Sequence, residues 1–336
     1  MIQTDRQYYK TVMSAIGRTM LIFLLFLNIY GAGIVFFEAF LLLLPIGEIA
    51  HNVIYQLVYA AGYMLTFLLP VLFLHRFLRR GRCAVQPMSL SPRVSPMLLP
   101  IVFAGVTICF SMAQINALIV DVFGYSDFMS EMMGDSMAEM APYEIVLNFI
   151  VISAVPAFCE EFLFRGAILS NCRPFGRTNA IIISAVLFAL MHQNAGQLLY
   201  TFAAGIVLGL VYEYTGSIWN CTILHLINNF VSVVQTAVLA EYGETVKGWT
   251  ILTIIEVVIY LAGAISIGIL VSKHFSKHQK LEDGVFEKTT PATDAYAAHP
   301  IRGREAAKLF FCPSIIVFVV FVVLEMGSLV LLSLIM

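Results

Sequence analysis

The sequence predicts an all-α, polytopic transmembrane helical bundle of about nine spans, with a polar cavity between spans four, five and seven. Two observations carry the fold class. Hydrophobic residues make up 60% of the 336 and charged residues only 12%, too few polar groups to cover a soluble core of this length. Stretches of about 20 apolar residues also recur along the chain, each long enough to cross the hydrocarbon layer as a helix. A third observation places the cavity: the ionisable residues that fall inside these stretches concentrate in one block, 143–236. The formal net charge of −2 gives no electrostatic reason to expect nucleic acid.

The first three spans are expected at 19–45, 53–74 and 97–120, forming an N-terminal membrane region over 1–142. The first is long and lacks a small-residue cleavage site at its end, so it is expected to remain as an anchor. Residues 121–144 follow, with Asp121, Asp127, Glu131, Asp135, Glu139 and Glu144 and no basic residue. Met129, Met133, Met137 and Met140 fall at helical spacing there, which predicts an external acidic amphipathic helix. Spans at 143–169, 179–191, 197–213 and 217–236 form the central block 143–236; the second and third of these are short. A C-terminal extension, 237–336, holds spans at 249–272 and 309–335, separated by a polar linker over 274–308 with Pro291 and Pro300.

Basic residues orient this arrangement. Arg6, Lys10 and Arg18 precede the first span, Arg76, Arg79, Arg80, Arg82 and Arg93 follow the second, and Arg173 and Arg177 follow the fourth. Lys273, Lys277 and Lys280 follow the eighth, and Arg302, Arg304 and Lys308 precede the ninth. If nine spans cross, all these clusters share one side, so the N-terminus and the linker are expected in the cytoplasm and the C-terminus outside. The six cysteines, Cys83, Cys109, Cys159, Cys172, Cys221 and Cys312, form no CxxC and read as packing residues. Gly205 and Gly209, four apart, predict a face for close helix packing.

The central block buries Glu160, Glu161, Arg165, His192 and His225, with Asn228 and Asn229 beside them. Ionisable groups cost several kcal/mol inside a bilayer, roughly 2.5 or more each, so their presence points to function. Positions four apart share a helix face and adjacent ones diverge by about 100°. Glu161 and Arg165 are therefore expected to pair, leaving Glu160 to face a polar cavity; the alternative is that both glutamates share Arg165. His225 and Asn229 share a face in the same way, and Phe188 and His192 do so on another span. A carboxylate and an imidazole can activate water, and an imidazole and an amide can stabilise an oxyanion. Glu160, His192 and His225 are equally able to hold a zinc ion. Either arrangement suits amide hydrolysis. No HExxH helix, GxSxG turn or P-loop is present. Asn116 and Gln114 read as polar contacts between helices or as cavity lining, and Glu256 and Glu325 as carboxylates either protonated or bonded within the bundle.

EExxxR at Glu160–Arg165, FxxxH at Phe188–His192 and HxxxN at His225–Asn229 resemble the three motifs of the CAAX prenyl protease 2 type. This is the CPBP or Abi group of intramembrane proteases, which also includes bacteriocin-processing and bacteriocin-immunity proteins. The stretch FAAGIVLGLVYEYTGSIWNCTILHLINN between the last two motifs is similar too, and the resemblance covers about 143–236. It implies that Glu160 activates water with His192, that His225 and Asn229 form the oxyanion site, and that Glu161, Arg165 and Phe188 support them. It implies a protein or peptide substrate at the bilayer, cut from the cytoplasmic side, in an integral protein of a bacterial cell membrane. It implies no oligomeric state. No metal cofactor is favoured, because Asn229 is a poor zinc ligand and the spacing matches no zinc signature. A transporter with a buried Glu and His relay is the competing class, but no inverted repeat relates the two halves. A non-enzymatic immunity-type membrane protein is the third.

Overall fold

The computed structural model describes residues 5–90, 95–122, 142–243, 245–282, 301 and 303–333. Helices α1 (Asp5–Leu41), α2 (Glu48–Arg80), α3 (Leu98–Val122) and α4 (Tyr143–Phe175) come first. They are followed by α5 (Arg177–Met191), α6 (Leu198–Thr215), α7 (Ile218–Tyr242) and α8 (Val246–Glu282), then α9 (Gly303–Phe310) and α10 (Pro313–Ser333). No strand occurs among the described residues. Seven segments, α1 to α4 and α6 to α8, are long and apolar enough to cross a bilayer. The 15-residue α5 is an eighth apolar segment, and α9 with α10, bent by 72° at their junction, supplies the ninth. The protein is an all-helical, multi-pass membrane protein with the predicted order of segments.

Several boundaries differ from the expected ones. Helix α1 begins at Asp5 rather than near 19, and α4 continues to Phe175. The polar linker expected over 274–308 is helical at both ends, through Glu282 in α8 and over Gly303–Phe310 in α9. Hydropathy marks where a helix leaves lipid; it does not mark where its hydrogen bonds stop. Helix α9 has a packing reason to exist. Its Ala306, Leu309 and Phe310 are buried, and the Tyr9 hydroxyl of α1 donates to the Ala306 carbonyl at 3.0 Å. The acidic methionine-bearing stretch predicted within 121–144 falls mostly outside the described residues, as does the middle of the linker.

Helix α4 is the hub, packed against α2, α5 and α7. It is not uniformly α-helical: turns over Phe149–Ala154 and Phe162–Leu169 are π-helical, and the α-helical Val155–Glu161 lies between them. Pro156 removes an N–H at the upstream junction, where a widened turn costs least. Helix α6 lies close on α5. A methyl group on Gly205 would come within 2.9 Å of the Ala185 Cα, and one on Gly209 within 3.1 Å of Ile181, so the small-residue face is this contact. Gly216 ends α6 in the left-handed region, φ +63°, and turns the chain into α7.

One end of the bundle is tied together by the α2–α3 connection. The Gln86 N–H donates to Asn171 at 2.9 Å, the Ser89 N–H to the Tyr212 hydroxyl at 3.1 Å, and the Ser95 N–H to Asn220 at 3.1 Å. Arg173 and Arg177 meet Glu213 at this end, at 2.9 and 3.6 Å. Here α4 and α6 finish, and α3 and α7 begin. At the opposite end, Asn116 near the end of α3 donates to the Gly196 carbonyl and accepts from the Tyr200 N–H at 3.3 Å.

Candidate active site

Glu161 and Arg165, both wholly buried in α4, form an ion pair at 2.6 Å. The guanidinium also donates to the Gly205 carbonyl of α6 at 3.2 Å and lies 4.4 Å over the Phe188 ring. Gly205 thus gives α5 a close approach and Arg165 an acceptor. Among the described residues Glu160 lies outside ion-pairing distance of Arg165, so the guanidinium's ion pair is with Glu161.

His225 of α7 stands between the two glutamates. Its Nδ1 is 2.9 Å from Glu161 Oε1, and its Nε2 is 3.9 Å from Glu160 Oε2. Glu161 therefore holds two partners on different helices, a contact that helix-face reasoning did not foresee. Glu160, 5% exposed, accepts a hydrogen bond on Oε1 from the Tyr63 hydroxyl at 2.6 Å. Its Oε2 is buried and has no hydrogen-bond partner among the described residues.

His192 caps the end of α5, its Nδ1 2.8 Å from the Phe188 carbonyl. A carbonyl only accepts, so Nδ1 carries the proton and the lone pair of a neutral ring sits on Nε2. Phe188 meets both imidazoles edge to face, with ring centroids 5.0 Å from His192 and 5.9 Å from His225. His192 is within electrostatic range of Glu160, Arg165 and His225.

A cavity of about 330 Å³ opens beside these groups, with Phe188, His192, His225 and Asn229 on its wall. Glu160 is not part of that wall and reaches it across His225. Its lining mixes apolar Cys109, Leu208 and Leu224 with polar Asn116, Gln197, Tyr200 and Asn228, and the exposed Gln197 marks its rim. Asn228 donates to the Tyr200 hydroxyl at 2.6 Å. Asn116 both bridges helices and lines the cavity. The cavity was expected between spans four, five and seven; its lining comes instead from α3, α5, α6 and α7, because α4 is covered by His225 and Phe188 and contributes no lining residue.

Three contributors come from far along the chain. Tyr63 belongs to α2; its only signal in the sequence is a place in the four-residue series Tyr55, Tyr59, Tyr63, Phe67. Gln193, next to His192, has φ +52° and donates to Glu325 of α10, which also accepts from Asn28 of α1 at 3.3 Å. Glu325 is thus bonded within the bundle, as expected.

Among the described residues, no group of three or more His, Cys, Asp or Glu side chains is placed to hold an ion. Glu161 and the Phe188 carbonyl engage the Nδ1 atoms of the two histidines.

Residues 142–231 match the family profile of type II CAAX prenyl endopeptidases, Rce1-like. The motif-bearing block is similar to this family. All seven motif residues lie inside the matched segment, whereas Tyr63, Asn28 and Glu325 lie outside it. A Bacillus subtilis (strain 168) protein named "Putative membrane peptidase YdiL" is 33% identical over 104 residues. That similarity covers 30% of this chain and 42% of the relative. No solved structure matches the chain. The Rce1-like block therefore coincides with the part of the bundle that buries the charges.

Proposed function

We propose that the protein is an intramembrane endopeptidase that hydrolyses a peptide bond in a membrane-associated or CAAX-like protein or peptide. The observation that carries the reading is the buried Glu160 Oε2, which has no hydrogen-bond partner among the described residues and lies 3.9 Å from His225 Nε2. One water molecule bridges such a spacing with hydrogen bonds to both sides.

Charge balance supports the same atoms. Glu161 and Arg165 neutralise each other. Glu160 and His225 give zero net charge either as carboxylate with imidazolium or as acid with neutral ring. Two arrangements of equal charge, differing by one shifted proton, are what a buried acid–base site needs, because neither carries an uncompensated ion. Glu160 Oε2 takes a proton from water while the water oxygen bonds to the scissile carbonyl carbon. The His192 Nε2 lone pair orients the same water. The oxyanion receives hydrogen bonds from His225 Nε2–H and the Asn229 amide. Glu160 then passes the proton to the amide nitrogen, the C–N bond breaks and the carbonyl re-forms, releasing an acid and an amine. Glu161 and Arg165 hold His225 and Phe188 in place and take no part in the transfer.

The exposed Gln197 of the cavity lining lies at the end of the bundle remote from the arginine-bearing connection. Substrate enters there in this reading, which departs from the expected cytoplasmic approach if the arginines face the cytoplasm. The test is cleavage of membrane-anchored and CAAX-type peptides by purified protein, with and without a chelator. Cleavage by wild type that survives chelation and is absent in Glu160→Gln is the expected result; loss on chelation would replace the metal-free steps.

A further inference from the structure

The Rce1-like match begins at residue 142, yet one of the two oxygens of Glu160 is held from α2. Tyr63 does not line the cavity and meets the site through its bond to Glu160. Its ring is fixed: it stacks on Phe67 with centroids 4.6 Å apart and meets Tyr30 edge on at 6.4 Å. Phe67, 1% exposed, is itself held edge on by Phe23 at 4.9 Å. The hydroxyl is therefore presented to Glu160 by packing that has no other dependence on the glutamate.

A carboxylate rotates freely about its last bond unless one oxygen is tied. The Tyr63 hydroxyl donates to Oε1 at 2.6 Å, a short distance in keeping with a charged acceptor. The other oxygen, Oε2, is thereby left as the one facing His225 Nε2. Resting on the peptidase reading above, we propose that Tyr63 is the positioning residue of this site: it selects which oxygen of Glu160 meets the water and holds it there.

Tyr63→Phe keeps the stacked ring and deletes only the hydroxyl. Two readouts on the full-length protein separate this role from a structural one. The first is labelling of Glu160 by dicyclohexylcarbodiimide, followed by mass spectrometry of the modified peptide, with Glu160→Gln as the blank. A carboxyl group with a released oxygen adds to the carbodiimide more readily, so labelling of Glu160 is expected to be several-fold faster in Tyr63→Phe. The second is peptide hydrolysis: kcat falls roughly tenfold, the scale of one hydrogen bond to a charged group, while KM and the thermal unfolding midpoint stay at wild-type values. Unchanged labelling overturns the proposal, as does an activity loss that follows a lowered unfolding midpoint. Faster labelling in a protein whose wild type cleaves no peptide upholds the Tyr63–Glu160 contact and defeats the peptidase reading alone.

Discussion

Adjacent glutamates in α4 have unlike surroundings, and their substitutions should therefore part company. Glu160→Gln keeps the size and the acceptor for Tyr63 but removes the base, so cleavage disappears while the folded protein remains in the membrane. Glu161→Gln leaves Arg165 buried without its counter-charge, at a cost of about 3–5 kcal/mol. It also loosens His225, whose Nδ1 is 2.9 Å from Glu161. A lowered unfolding midpoint in detergent is the expected sign of the second substitution, and an unchanged one of the first. A stable but inactive Glu161→Gln beside an active Glu160→Gln would reverse the two roles. The Glu161–Arg165 pair was legible because four-residue spacing is a local property. The His225 contact was not, because it joins residues 64 apart on helices whose relative rotation the spacing leaves open. Tyr63 was hidden for another reason: in the sequence it looks the same as its ladder neighbours Tyr55 and Tyr59.

Helix by helix, apolar length announced the segments, and their edges depended on other physics. α8 runs on through lysine, histidine and glutamate because these residues favour or tolerate helix in water as well as in lipid. The π-helical turns of α4 have no sequence signature comparable to a run of leucines, so a uniform 100° wheel was the natural assumption. Gly205 was legible as a packing residue, but its carbonyl's bond to Arg165 was not. That double duty yields a sharp expectation for Gly205→Ala. The added methyl meets backbone at 2.9 Å and must push α5 from α6. A stability loss of about 1–3 kcal/mol is expected, with a fall in cleavage as the Arg165 acceptor moves; thermal unfolding and peptide turnover measure the two. A Gly205→Ala protein as stable as wild type would show that α5 and α6 can separate without cost.

For the whole molecule, the two ends of the bundle are chemically unlike, and each offers an exposed position for labelling. Arg80 is exposed near the connection that closes one end, and Gln197 is exposed at the rim of the other. Five of the six native cysteines are buried and Cys312 is partly so, which keeps the background of thiol labelling low. Arg80→Cys and Gln197→Cys proteins, treated in sealed cells with an impermeant thiol reagent, should label from opposite sides. Labelling of Gln197→Cys from outside and Arg80→Cys only after permeabilisation would agree with basic residues on the cytoplasmic face. Labelling of both from one side would place rim and arginines together and remove the entry route proposed above. The overall count of segments was readable from composition, but the direction in which the cavity opens arises only once α3 and α6 are packed around it.

The bond from Gln193 to Glu325 has a consequence for the order in which the protein is made. Ribosomal synthesis delivers α4, α5 and α7 to the membrane well before α10, so every motif residue is inserted while Glu325 is still to be translated. Until that helix arrives, Gln193 must hold its left-handed backbone beside His192 without the carboxylate that anchors it, and α1 has α2 to pack against but not α10. A half-made chain thus carries the residues for hydrolysis without the fastening that sets one of them. Assembly of the motif-bearing block and fastening of the backbone next to His192 are thus separate events, divided by the time it takes to make α8, α9 and α10.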